Sequence, residues 1–184
     1  MYTNNSNNLI IIRFLLKTSK KVLMHSKKLN AINVSFNEHE AGIERYVRCT
    51  WAIHIYRHHV FRTNLSDSYI SNINQVNESL GIPVKTIDLN EYKEHFRTSE
   101  FLNKVIEVNE YPKWIWFYGI EALKDSNFAG WLRTRLTVRS IENLRVIFVA
   151  ESIDDYRVVF CDNRAPFYQS TMLLNTDYDV KCED

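Results

Sequence analysis

Two apolar runs dominate the hydrophobic pattern of this chain, Trp114-Ile115-Trp116-Phe117-Tyr118 and Leu144-Arg145-Val146-Ile147-Phe148-Val149-Ala150. Each has about the length of a buried strand, and a segment of helical spacing lies between them. Runs without polar alternation suit a sheet covered by helices on both faces. The rest of the pattern is read around these two strands, taken as 113–120 and 144–150.

The first eight residues are Asn-rich and are expected to be disordered. Residues 9–28 predict a basic amphipathic helix, with Ile12, Leu15, Leu16, Val22 and Leu23 on one face and lysines on the other. A short strand is expected at Ala31–Phe36, then a polar loop, Asn37 to Gly42. Residues 43–62 are read as one helix, since Ile43, Tyr46, Val47, Thr50 and Ile53 keep helical spacing and no turn signal interrupts them. The part from Trp51 to Tyr56 also has strand character, because Ile53 and Ile55 are β-branched.

A helix capped by Ser66 or Asp67 runs to Ser79, and Gly81-Ile82-Pro83 stops it. Val84–Leu89 alternates as a strand, and 91–108 reads as one or two helices. Asp125 or Ser126 caps a helix reaching Arg139, with Phe128, Trp131, Leu132 and Leu136 inward. After the second central strand come a short helix or irregular turn at 154–160, a turn at 165–168 and a last strand at 170–174. This alternation predicts a single α/β domain over 9–175: three layers, a mainly parallel five-stranded sheet, helices on both faces. Residues 176–184 are expected to be an acidic tail.

Composition narrows the function classes. A hydrophobic content of 45% and a net charge of +1 describe an ordinary globular chain with no strong global field for nucleic acid or membrane. Three widely spaced cysteines give no disulfide framework or zinc pattern, so reduced thiols in a cytoplasmic setting are expected. The N-terminal apolar run is too short and too charged to cross a membrane, and its basic residues follow it, the reverse of a signal peptide.

Strand, loop and helix around Gly42 have the layout of a phosphate-binding loop, whose motif is G-x-x-x-x-G-K-[ST]. Lys and Ser/Thr are missing from Gly42-Ile43-Glu44-Arg45, and Glu38, Glu40 and Glu44 bring negative charge where a polyphosphate would sit. One such contact at ~4 Å costs about 4 kcal/mol at an effective dielectric of ~20.

Trp116 to Leu123 resembles the Walker B strand of the AAA-related STAND ATPases, an apolar run followed by Asp-Glu. On that pattern Tyr118 and Gly119 replace the two acids, while Ile120, Glu121 and Leu123 hold the next places. Val146–Ser152 with Arg157–Tyr168 is similar to that family's sensor strand and following segment. Ser152, Pro166 and Tyr168 keep their places, and Gln169-Ser170 replaces Gly-Arg. The resemblance covers about 29–175 and lacks the helical lid. It implies a degenerate P-loop NTPase-like core that needs no cofactor, at work through a partner protein: an active ATPase of similar shape, or a second copy.

Other groupings point elsewhere. Glu151, Asp154 and Asp155 follow a central strand and offer an acidic site for metal-dependent phosphoryl transfer or nuclease action; helix capping is the plainer role. His54, His58 and His59, read on one helix, place two imidazoles four residues apart, but no third ligand is identifiable. Arg133, Arg135, Arg139 and Arg145, with Arg45, Arg48, Arg57 and Arg62, suggest a phosphate-binding surface. The basic stretch Arg13–Lys28 suggests nucleic-acid binding. The leading expectation is a non-catalytic regulatory or protein-interaction module.

Overall fold

The computed structural model describes residues 42–107, 111–138, 141–174 and 176. Within them the chain runs α1 (Ile43–Ala52), β1 (Arg57–Phe61), α2 (Asp67–Ser79), β2 (Val84–Asp88), α3 (Glu100–Glu107), β3 (Lys113–Tyr118), α4 (Ser126–Val138), β4 (Leu144–Ala150), α5 (Ile153–Tyr156) and β5 (Met172–Leu173). The five strands form one sheet in the order β2-β3-β4-β1-β5, and every neighbouring pair is parallel. The three-layer α/β architecture is therefore as the pattern predicts, with β3 and β4 side by side at its centre.

Strand periodicity sorts the core into two halves. Ile115, Phe117, Val146 and Phe148 pack on one side with Leu102 and Ile106 of α3 and Phe128, Leu132 and Leu136 of α4. Val60, Trp114, Trp116, Ile147 and Val149 pack on the other with Val47 and Trp51 of α1 and Tyr69 and Ile73 of α2. The second half buries polar groups, and asparagines of α2 satisfy two of them. Asn77 Oδ1 accepts from Trp51 Nε1 at 3.0 Å and Asn74 Oδ1 from Trp116 Nε1 at 2.9 Å. These bonds meet the requirement that a buried indole N–H find an acceptor.

The expected helix 43–62 is in fact a helix followed by a strand. The helix ends at Ala52; His54 takes a left-handed conformation (φ 58°), and Arg57–Phe61 become β1. The reversal closes on its own backbone, with His54 N donating to Trp51 O at 3.4 Å and Ile55 N to Thr50 O at 3.1 Å, and a residue distant in sequence binds the same two carbonyls. Arg145, fully buried in β4, donates from Nε to Thr50 O (3.1 Å) and from Nη2 to Trp51 O (3.1 Å). Its Nη1 donates to Glu142 O and Leu144 O, and the guanidinium stacks over Trp51 and Tyr56. A cation at the last carbonyls of a helix stabilises that terminus through the backbone dipole. Arg145 therefore contributes nothing to the surface phosphate site expected of it.

Smaller differences follow the same logic of local hydrogen bonding. Residues 89–92 form a 3-10 turn and α3 starts only at Glu100. The segment after β4 begins as α5 and widens into a π-helical turn at Arg157–Cys161. β5 is two residues long. The expected helix 9–28 and strand 31–36 lie outside the described residues, as does the acidic tail apart from residue 176.

Two stability predictions arise here. Arg145→Leu removes the charge-assisted hydrogen bonds to the carbonyls of Thr50, Trp51, Glu142 and Leu144, so urea denaturation is expected to show a loss of about 3 kcal/mol. His58, buried beside Arg145, has its pKa lowered to about 4 by burial and then by the charges of Arg145 and His59. Between its ordinary value near 6.5 and 4 the unfolded chain binds the extra proton. Stability should therefore fall as pH drops through that window, by up to about 3 kcal/mol. His58→Leu is expected to flatten urea midpoints measured from pH 7 to 4.5.

Candidate functional site

In an open parallel sheet, ligands bind outside the carboxyl ends of the strands. Four loops meet there: Arg62–Ser66 after β1, 89–92 after β2, 119–125 after β3, and Glu151-Ser152 after β4. Because β4 lies between β1 and β3, the loop after β1 and the end of β3 flank the end of β4.

The loop that follows β1 is Arg62–Ser66, and the described segment around Gly42 lies ahead of β1. Gly42, Ile43, Glu44 and Arg45 begin α1, ahead of β1, with Glu44 paired to Arg48 at 2.8 Å; Glu38 lies outside the described residues. Set on G-x-x-x-x-G-K-[ST] from the end of β1, Phe61 and Ser66 take the two glycines, Asp67 the Lys and Ser68 the Ser/Thr. Reading 51–62 as a strand would have exposed that spacing.

The N-terminus of α2 supplies its own anion-like groups. Ser66 Oγ accepts from Tyr69 N at 3.0 Å and lies 2.9 Å from Ser68 Oγ. Asp67 puts a carboxylate in the first turn, where the backbone dipole favours negative charge. Arg62 spans the loop, donating from Nη1 to Leu65 O at 2.6 Å and from Nη2 to Asp67 Oδ1 at 3.1 Å. The charges that would greet a phosphate are an acid at the Lys position and an arginine already engaged with it.

At the end of β3, Tyr118 is half-buried, and its phenol pKa is raised, chiefly by burial. The charge of Arg62 opposes that rise, while those of Glu151 and Asp67 add to it. The ring thus lies within electrostatic reach of the loops after β1 and β4. Gly119 has a left-handed backbone (φ 65°), and a Cβ there would sit 2.1 Å from Asp88 Oδ1 and 2.7 Å from Asn90 Nδ2. Asp88 Oδ1 also accepts from Asn90 N at 2.9 Å, and Asn90 Nδ2 donates to Glu121 Oε1 at 2.5 Å. A side chain at 119 would have to adopt the left-handed backbone and displace the exposed ends of Asp88 and Asn90, so glycine is the residue that suits this position.

Asp88, Asn90, Tyr118, Glu121 and Glu151 line an open cleft of about 470 Å³. Its charge is negative, the wrong sign for a polyphosphate. Of the alternative acidic set, Glu151 alone lines this cleft. Asp155 is held by Lys124 Nζ at 2.5 Å and by Ser152 Oγ at 2.6 Å, contacts that lower its pKa, and Asp154 pairs outward with Arg157 at 3.8 Å. Ser152 caps α5 by accepting from Asp155 N.

Among the described residues no three His, Cys, Asp or Glu side chains are grouped to hold a metal ion. The histidines do not share a helix: His54 is in the turn, and His58 and His59 are consecutive in β1 and so face opposite sides of the sheet. His59 Nδ1 bonds Thr171 Oγ1 at 2.9 Å and its ring packs on Tyr156 and Phe160. Compared with family models, curated proteins and solved structures, the chain matches none of them.

Gly119→Ala should be among the most damaging small substitutions in this loop. It combines a strained left-handed Ala with displacement of Asp88 and Asn90. A loss of about 2 kcal/mol or more is expected in denaturant unfolding, whereas Gly130→Ala, with open space around its Cβ, should cost nothing measurable.

Proposed function

We propose that this chain is a non-catalytic AAA/STAND-like P-loop domain, a nucleotide-hydrolase scaffold that serves as a regulatory or protein-interaction module. The observation that carries the reading is the self-occupied start of α2. Where an ATPase keeps a vacant cradle with Lys, this chain has Ser66 and Asp67 on the helix terminus and Arg62 bound to Asp67. The loops at the ends of β1, β3 and β4 lie side by side at one edge of the sheet, which supports the reading. On the family's pattern the chemistry is missing at three places: Asp67 stands for Lys, Tyr118 and Gly119 for the two acids, and Gln169-Ser170, ahead of β5, for Gly-Arg.

A scaffold kept without its charges acts by shape, by docking on an active ATPase of similar architecture or on another copy of itself. The rival enzymatic reading has less support, because Glu151, Asp154 and Asp155 do not converge. No described helix is long and apolar enough to cross a membrane.

Titrating magnesium–ATP into the protein by calorimetry tests the reading. Affinity weaker than about 1 mM is expected, with no phosphate release. Micromolar binding that Ser68→Ala abolishes, or turnover that a Glu44 or Glu121 substitution abolishes, would contradict it.

A further inference from the structure

The fold divides the arginines that the sequence offered as one phosphate-binding surface. Arg48 pairs with Glu44, Arg62 with Asp67, and Arg145 with the carbonyls at the end of α1. Arg135 stacks on Trp131, and Arg139 lies outside the described residues. Arg57 and Arg133 are left facing each other across β4.

Their placement follows from the packing. Arg57 opens β1, and its neighbour across the ladder, Val146, belongs to the half of the core that α4 covers. His59, two residues on and so on the same face of the strand, packs on Tyr156 and Phe160. Arg57 stands nearer the amino end of β1 than that cover. α4 turns Leu132 and Leu136 to the sheet and sets Trp131 against Phe96 on one flank. With 3.6 residues per turn, Arg133 falls on the opposite flank. Phe96 belongs to the segment between β2 and β3, so in the order β2-β3-β4-β1 that opposite flank looks toward β1.

Two observations mark the pair as a site. Arg57 Nη1 is buried and has no hydrogen-bond partner in the protein, a state that calls for a bound group. The charge that acts on Arg57 is a second cation: its pKa is lowered first by burial and then by Arg133. Among the described residues no carboxylate pairs with either arginine. An unmet buried donor and a like-charged neighbour both cost stability, and an anion between the two guanidinium groups relieves both.

We propose that Arg57 and Arg133 form a binding site for a phosphate group, whose oxygens accept from both guanidinium groups at once. Free phosphate and phosphate monoesters carry nearly two negative charges at neutral pH, which matches two cations; a carboxylate carries one. A single pair of arginines suits one phosphate, whereas a nucleic-acid backbone is met by a stripe of cations. The site is at the amino end of β1, apart from the loops of the carboxyl edge, so it holds whether or not those loops descend from a nucleotide cradle.

The side-chain Nε–H resonance of Arg57, followed by NMR in the full-length protein as inorganic phosphate is added at constant ionic strength, tests this. A saturable shift with a Kd at or below about 5 mM is expected. Arg133 is exposed on its helix, so Arg133→Gln should fold, and it is expected to weaken the binding at least about fivefold. Phosphoserine titrated alongside identifies the source: tighter binding than inorganic phosphate supports an ester, equal or weaker binding the free ion. An Arg57 resonance that stays fixed to about 20 mM phosphate would overturn the proposal. So would a shift that Arg133→Gln leaves unchanged, or one that acetate reproduces at the same concentration.

Discussion

A buried guanidinium sets the geometry of this protein. Arg145 stands inside an otherwise apolar central strand and takes the last carbonyls of α1 as partners. That contact ties to β4 the end of α1, where the backbone-closed reversal through His54 leads into β1 beside β4. Once β1 is there, Arg62–Ser66 becomes the loop at the carboxyl edge and α2 starts beside it. The register of the whole functional edge descends from one side chain at the opposite end of the sheet. Burying a cation is costly unless its donors are satisfied, and here the stacked rings of Trp51 and Tyr56 and several carbonyls meet that requirement.

At the carboxyl edge the same economy of satisfied groups explains the absence of a nucleotide cradle. A helix N-terminus offers unpaired amides and a positive field, which phosphates exploit. In α2 those amides and that field meet Ser66 and Asp67, and Arg62 neutralises Asp67 in turn. An incoming phosphate would have to displace an internal cap, typically worth about 1 kcal/mol, and then face Asp67, Glu151 and Glu121 with no lysine in return. The Asp88–Asn90–Glu121 network fills the space against Gly119. On the proposed reading, these features together leave the layout of a nucleotide-binding fold without its chemistry.

Much of this was legible in the chain. β2, β3 and β4 fall within two residues of their expected ends, because an alternating run after Pro83 and continuous apolar runs after Pro112 and Asn143 leave little choice. The Ser66 cap was readable from its position before a helical repeat. The turn at His54 was not: it lacks Gly or Pro, its left-handed residue is a histidine, and the buried cation that holds its carbonyls, Arg145, is more than 90 residues away. Missing that turn displaced the phosphate-loop alignment onto Gly42 and put three histidines on a helix they do not share. Arg145 itself read as a surface cation, since nothing local reveals that its partners are carbonyls. The need for glycine at 119 was hidden for a similar reason: the atoms that exclude a Cβ belong to β2 and its following loop.

The account stands or falls on whether the start of α2 is already filled. Backbone amide shifts of Ser68 and Tyr69, followed by NMR as magnesium–ATP is added, report on that place directly. They are expected to stay fixed up to about 1 mM nucleotide, with the ¹⁵N resonances still showing the Ser66 cap. Saturable movement of these amides, with release of the Arg62–Asp67 contact, would show an open cradle and contradict the account.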